Sequence, residues 1–102
     1  MTGKPFTNPQ IRKLKALGQR LDPVLHVGKE GVTDAFLKSA GDELDLHELI
    51  KIKFAAFKDE KHELSALIAE KTASFLVMQV GHVAVFYRAN GDPERRRIDI
   101  GD

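Results

Sequence analysis

The chain has no cysteine and no tryptophan among its 102 residues, and a single tyrosine. Without thiols there can be no disulfide framework, no thiolate metal site and no cysteine nucleophile. No apolar run approaches the roughly 20 residues that span a bilayer as a helix, so no membrane partner is expected. The opening stretch MTGKPFTNPQ carries neither the apolar core nor the cleavage site of a secretory signal. These absences lead to the expectation of a cytoplasmic protein that folds without covalent or metal staples. The four prolines and eight glycines punctuate the chain without forming a linker, and no repeat or low-complexity tract is visible. With 42% hydrophobic and 30% charged residues the composition is that of an ordinary globular protein, so one domain over 1–102 is expected, its core about 8–88 and its last residues, 89–102, a polar tail.

A catalytic constellation is also missing. His47-Glu48 and His62-Glu63 begin like a zinc-protease helix, but the second histidine that signature needs one turn later is replaced by Lys51 and by Ala66. Ser39, Ser65 and Ser74 lack a GxSxG context, and the carboxylate pairs Asp42-Glu43 and Asp59-Glu60 fall at solvated helix ends. His26 and His82 read as structural or exposed residues. No catalytic residue, metal ligand or cofactor is assigned, and the chain is not expected to be an enzyme.

Charge is sparse as a total, +1, but not as a distribution. Residues 1–29 carry Lys4, Arg12, Lys13, Lys15, Arg20 and Lys29 against Asp22 alone, whereas 30–50 carry Glu30, Asp34, Asp42, Glu43, Asp45 and Glu48 against Lys38 alone. A basic first quarter followed by an acidic block is a surface pattern that a net charge conceals.

Periodicity supplies the elements. Ile11, Leu14 and Leu17 repeat at helical spacing after Asn8, read as the cap, and Pro9 in the first turn; Gly18 is read as the stop. A short strand, Val24 to Val27, leads into Gly28-Lys29-Glu30-Gly31, after which Thr33 can cap a helix carrying Val32, Phe36, Ala40 and Leu44 on one stripe. Leu49 to Phe54 alternates Ile50, Ile52 and Phe54 with Lys51 and Lys53, which predicts a strand with one apolar and one basic face. A third helix is predicted over 59–72, and Ser74–Val80 and Val83–Arg88 form a hairpin about Gly81-His82. Right-handed crossovers make the first three strands mutually parallel and the last antiparallel, giving an α/β sandwich of order α-β-α-β-α-β-β with a four-stranded mixed sheet. The tail is expected to be loose or to add a short edge segment, and the role of Arg95-Arg96-Arg97 is open.

The Gly-Lys-Glu-Gly loop is the most informative motif. It is too short for a phosphate-binding GxxxxGK[ST] loop and lacks the third glycine of a dinucleotide fingerprint. A GxxG loop ahead of a helix is nevertheless what RNA-binding KH domains use, because glycines let backbone amides approach phosphates and a basic side chain meets the charge. Ordinary turns share the pattern, and Glu30 places a carboxylate where a phosphate would be repelled.

The segments LKALGQRLDPVLHVGKEGVTDAFL, HELIKIKF and VGHVAVFYR, in that order from about Leu14 to Arg88, together resemble the stand-alone bacterial CRM domain, the YhbY-type RNA-binding family. The resemblance implies a fold similar to the C-terminal domain of translation initiation factor three. It also implies binding of ribosomal RNA in precursors of the large ribosomal subunit, the pre-50S particle, through the loop corresponding to Gly28, Lys29, Glu30 and Gly31. Arg12, Lys13, Lys15, Lys51 and Lys53 would extend that footprint if they share its side, and Arg88 is a further candidate or else an ion-pair partner. No DNA partner is expected, and a monomer is. Two other readings stay open: a protein adaptor docking through the acidic block 30–48, and a small phosphate-handling enzyme built on the same loop.

Overall fold

Thr7 starts the first helix. In the structure, a computed structural model that describes residues 6–101, its hydroxyl accepts from the Gln10 amide at 3.3 Å while the Gln10 side chain accepts from the Thr7 amide at 2.9 Å. This reciprocal capping box satisfies two donors that the helix cannot use itself. The cap is therefore Thr7, one residue before the expected Asn8, because Thr7 is the position from which a side chain at Gln10 can reach back. Helix α1 runs Asn8–Gln19 with Pro9 in its first turn. Lys4, counted with the basic first quarter, lies outside the described residues.

Gly18 does not stop α1. It is buried inside the helix, and a Cβ built there would lie 2.9 Å from Val85 Cγ1 and 3.3 Å from Met78 Cε. The glycine serves close approach of the helix to the sheet, a need that α1's own sequence does not reveal.

The remaining elements follow the periodicities: β1 Leu25–Val27, α2 Asp34–His47 capped by the Thr33 hydroxyl, β2 Leu49–Phe54, a 3-10 turn Lys58–Glu60 leading into α3 Lys61–Lys71, then β3 Phe75–Val80 and β4 Val83–Tyr87. The sheet order is β1-β2-β4-β3, with β1 parallel to β2 and β4 antiparallel to both β2 and β3. The first three strands are thus mutually parallel and β4 runs against them, as expected. The hairpin brings β3 and β4 together, and β4 rather than β3 inserts beside β2.

Strand alternation divides the interior into two layers. Val27, Ile50, Ile52, Phe54, Ala84 and Phe86 meet Ala40 and Leu44 of α2 and Ile68 of α3 on one face. Leu49, Val77, Val85 and Tyr87 meet Leu14 of α1 on the other, together with Phe6, Ile98 and Ile100. The tail is therefore neither loose nor an edge strand: after a short 3-10 turn, Pro93–Arg95, it folds back onto the α1 face.

One buried carboxylate holds it there. Glu48 is fully buried at the end of α2 with a positive φ of 65°. Its oxygens accept from the backbone amides of Asn90 at 2.5 Å, Arg97 at 2.6 Å and Ile98 at 3.0 Å. Burial alone would raise its pKa, but these three amides and the nearby Arg96 charge outweigh that and hold it below the usual carboxylate value.

Two outcomes are expected. Gly18→Ala gains helix propensity of roughly 1 kcal/mol but overpacks against Val85, typically at about 1–3 kcal/mol, so urea unfolding should show a net loss. Glu48→Ala orphans three amides and should lower stability by about 3 kcal/mol. Because the folded pKa of Glu48 is depressed, its contribution is fully present above the unfolded value near 4.5 and is lost as pH falls through the folded value. The variant should therefore unfold with a weaker pH dependence across that acidic window.

Candidate nucleic-acid interface

The Gly28-Lys29-Glu30-Gly31 segment is a tight turn at the carboxyl end of β1, closed by the Gly31 amide donating to the Gly28 carbonyl at 3.0 Å. The two glycines serve different purposes. Gly31 has a φ of +75°, and a Cβ there would sit 3.3 Å from the Phe57 ring, so the fold itself asks for glycine. Gly28 has neither constraint: a Cβ there would meet nothing within 4 Å. Its bare backbone faces open space, which is what a ligand approaching closely would use. Lys29 and Glu30 at the tip are exposed.

Helix α2 begins immediately after the turn. The Thr33 hydroxyl already accepts from the Phe36 amide at 3.0 Å, and Asp34 places a negative charge in the first turn. Part of the positive end of this helix is thus neutralised internally.

Around the turn the fold assembles residues far apart in sequence. The Val27 carbonyl accepts from both Ala55 and Ala56 amides at 3.0 Å, tying the segment after β2 to the root of the turn. That segment presents Phe57, whose ring packs on Gly31, and then Lys58. The hairpin closes the same end: the Phe54 amide donates to the His82 carbonyl at 2.7 Å, and Lys61 donates to the Gly81 carbonyl at 2.6 Å. Packing about the His82 ring, then the charges of Lys61, Lys58 and Lys53, push its pKa below the usual histidine value. The three lysines thus stand near one ring at the hairpin end of the sheet. Among the described residues Lys29, Lys53, Lys58 and Lys61 form no ion pair with a carboxylate. Phe57, Lys58 and Lys61 were not among the residues singled out from the sequence, and His82 was read only as structural or exposed and as part of the hairpin turn; what brings them to one end is strand pairing, which no local pattern reveals.

The expected residues are only partly brought together. Lys53 lies beside His26 in the β1–β2 register, at the end of the sheet that carries the turn, and Lys51 shares its face. Arg12 and Lys15 flank a depression with Phe75 and Val77 on β3, the edge strand farthest from β1, and Lys13 is drawn to the Asp99 carbonyl of the tail. These three share the sheet face of Lys51 and Lys53 but not the end occupied by the turn. Arg88 is committed elsewhere: its guanidinium donates to the Thr72 carbonyl at 2.6 Å, the Gly41 carbonyl at 2.9 Å and the Asp45 carboxylate at 2.7 Å. Of its two readings, the structure displays the ion pair. The acidic block is largely spent internally, with Lys38 on Asp42 at 3.2 Å, His47 on Glu43 at 3.5 Å, Arg88 on Asp45, and Glu48 buried. The described residues contain no group of His, Asp and Glu arranged to hold a metal, and no helix long and apolar enough to cross a membrane.

The geometry defines a class: a small α/β sandwich that offers a glycine turn and unpaired lysines at one end of its sheet. Comparison with known proteins carries this further. The family description CRS1 / YhbY (CRM) domain matches residues 6–88, and the chain belongs to that family. A Pseudomonas aeruginosa protein named as a probable RNA-binding protein is 35% identical over 96 residues, covering 93% of this chain and 92% of its own length. A Haemophilus influenzae protein named an RNA-binding protein is 37% identical over 84 residues, covering 81% and 85%. The solution structure of a Staphylococcus aureus protein, described there as a candidate RNA binder, superposes with a TM-score of 0.74 at 32% identity, over 92% of this chain and 99% of that one.

The glycines separate in a paired test. Gly31→Ala should cost about 1–2 kcal/mol in denaturant unfolding, because a side chain is forced into the left-handed region against Phe57. Gly28→Ala should leave stability within about 0.5 kcal/mol of the parent.

Proposed function

We propose that this chain is a non-catalytic RNA-binding protein whose ligand is ribosomal RNA in precursors of the large ribosomal subunit, and that it assists their assembly as a cytoplasmic monomer. The observation that carries the reading is the open backbone of Gly28 in a turn whose Lys29, like Lys53 and Lys58 at the same end of the sheet, has no carboxylate partner among the described residues. Bare amides and unpaired cations together suit a phosphate backbone better than an apolar or acid-free small molecule. Relatives bearing the names of RNA-binding proteins support RNA as the polymer. The family resemblance supports the ribosomal assignment.

In this reading Gly28 and Gly31 shape the turn, Lys29 meets phosphate, and Lys51 and Lys53 continue the basic track along the sheet face. Arg12, Lys13 and Lys15 act at longer range, raising the local potential rather than touching the same phosphates. Glu30 lines the same depression as Gly28, Lys29 and Gly31, so its carboxylate disfavours phosphate at its own position and leaves Lys29 to carry the contact. Arg88 holds β4 to α2 and takes no part in binding. The binding unit is the whole chain, because the tail is tied into the α1 layer by Glu48. An adaptor role for the acidic block is not favoured, since most of its carboxylates already have partners within the fold.

Affinity for a ribosomal RNA fragment should fall with salt, log K dropping by about 0.7 per log unit for each single-strand phosphate neutralised. Lys29→Ala should reduce that slope by about one such increment, and Lys29→Glu should weaken binding by about ten-fold or more. A salt-independent affinity would rule the reading out. In cells, crosslinking should recover large-subunit ribosomal RNA and sedimentation should place the protein with precursor particles; migration as free protein with no attached ribosomal RNA would remove the ribosomal assignment.

A further inference from the structure

Phe57 is hard to account for as packing. The ring is 42% exposed, belongs to neither apolar cluster, and sits on a residue whose φ is +55°. A bulky side chain in the left-handed region is a costly choice where glycine or asparagine would form the same bend. The other large exposed apolar residues, Val24, Leu46 and Val80, are aliphatic and lie in strand, helix or strand-flanking positions. Among the described residues Phe57 is the one aromatic side chain in that exposed group, and it lies against Gly31 of the turn, with Lys58 next in the chain.

We propose that Phe57 is a stacking platform for one unpaired base, so that the RNA this site accepts carries a single-stranded nucleotide, in a loop, bulge or end, rather than a continuous duplex. The inference rests on the reading that the chain binds RNA. One strand would lay its phosphates along the Gly28 backbone and Lys29 on one side and along Lys58 and Lys61 on the other. Between these two groups of donors the base of the intervening nucleotide turns inward onto the ring. An aromatic face flanked by cations is how single strands are held with little dependence on sequence, because every base offers a π-face while only phosphates need charge. A paired base in an A-form helix is buried in its own stack and cannot reach such a surface. The neighbouring acids, Glu30, Asp59 and Glu60, disfavour phosphates at their own positions and so confine the strand to the lysine-bordered path. The strain at Phe57 and the glycine beneath it then have one purpose: they hold the ring against the turn, so that a base and a phosphate can be engaged by adjacent residues.

The test uses the full chain with two probes, a short oligoadenylate single strand and a blunt, fully paired RNA duplex of equal length. The single strand should bind more tightly. Phe57→Leu, which keeps an apolar cover over Gly31 but has no π-face, should lose about ten-fold in single-strand affinity with its salt slope unchanged, whereas Lys29→Ala should lower the slope. Phe57→Tyr should bind as the parent does. Phe57→Trp supplies a reporter in a chain that has no other tryptophan, and its emission should be quenched by the single strand. If the parent binds RNA and responds to Lys29→Ala but Phe57→Leu is indistinguishable from it, or the duplex is preferred, the stacking site is overturned while RNA binding stands. If the parent binds neither probe nor a ribosomal RNA fragment, the RNA reading falls and the stacking site with it.

Discussion

The carbonyl of Val27 is the point on which the glycine-turn end of this molecule depends. It is the last residue of β1, and it accepts from two successive amides, Ala55 and Ala56, beyond the end of β2. A strand of three residues has few ladder bonds to hold it, so this shared acceptor extends the parallel pairing past the register Val27↔Phe54. It also sets where two loops lie relative to one another. The glycine turn leaves β1 there and the Phe57 segment leaves β2 there, so the ring meets Gly31 without either loop being long.

A second constraint works at the opposite side of the sheet. Glu48 ends α2 and precedes β2, and from that junction its buried carboxylate collects three amides of the returning tail. Charge and burial would ordinarily oppose each other here; the amides settle the contest in favour of the charged form. One acid thereby ceases to be surface charge and becomes the fastening of the second apolar layer, where Ile98 and Ile100 complete what α1 and the sheet leave open. Its charge also opposes ionisation of the adjacent Tyr87, whose pKa is raised first by burial and then by Glu48. The sheet thus separates an α2 side, whose carboxylates are mostly paired, from an α1 side and a hairpin end, where among the described residues the lysines have no carboxylate partner.

Much of this was legible in the residues. The alternation from Leu49 to Phe54 shows a strand with two unlike faces, the stripe Val32, Phe36, Ala40 and Leu44 shows α2, and Gly81-His82 between two β-rich runs shows the hairpin, because each signal is local. What was missed involves partners distant in the chain. Gly18 looks like a helix stop until Val85 is placed against it. The tail looks polar and unattached until Glu48 is buried beneath it, and a glutamate in an acidic block carries no mark of burial. Phe57, just ahead of the predicted third helix, carries no local mark of its contact with Gly31. The cap at Thr7 instead of Asn8 is a smaller matter of the same kind, decided by whether Gln10 can reach back.

By itself the sequence determined the elements, their order, the parallel sense of the first three strands and the presence of a glycine turn between a strand and a capped helix. Those follow from hydrophobic period, capping chemistry and the handedness of crossovers, all of which act over a few residues or are topological rules. Tertiary structure alone decided that β4 lies between β2 and β3, that Arg88 and Glu48 belong to the interior bonding of the fold, and that Arg12 and Lys15 lie over β3, away from the turn. It also decided that the Phe57 ring meets Gly31 and that Lys53, Lys58 and Lys61 gather about His82 at the same end of the sheet. The reason is that each of these is a relation between segments joined only by the sheet, and strand pairing is fixed by the summed burial of both faces rather than by any stretch read alone.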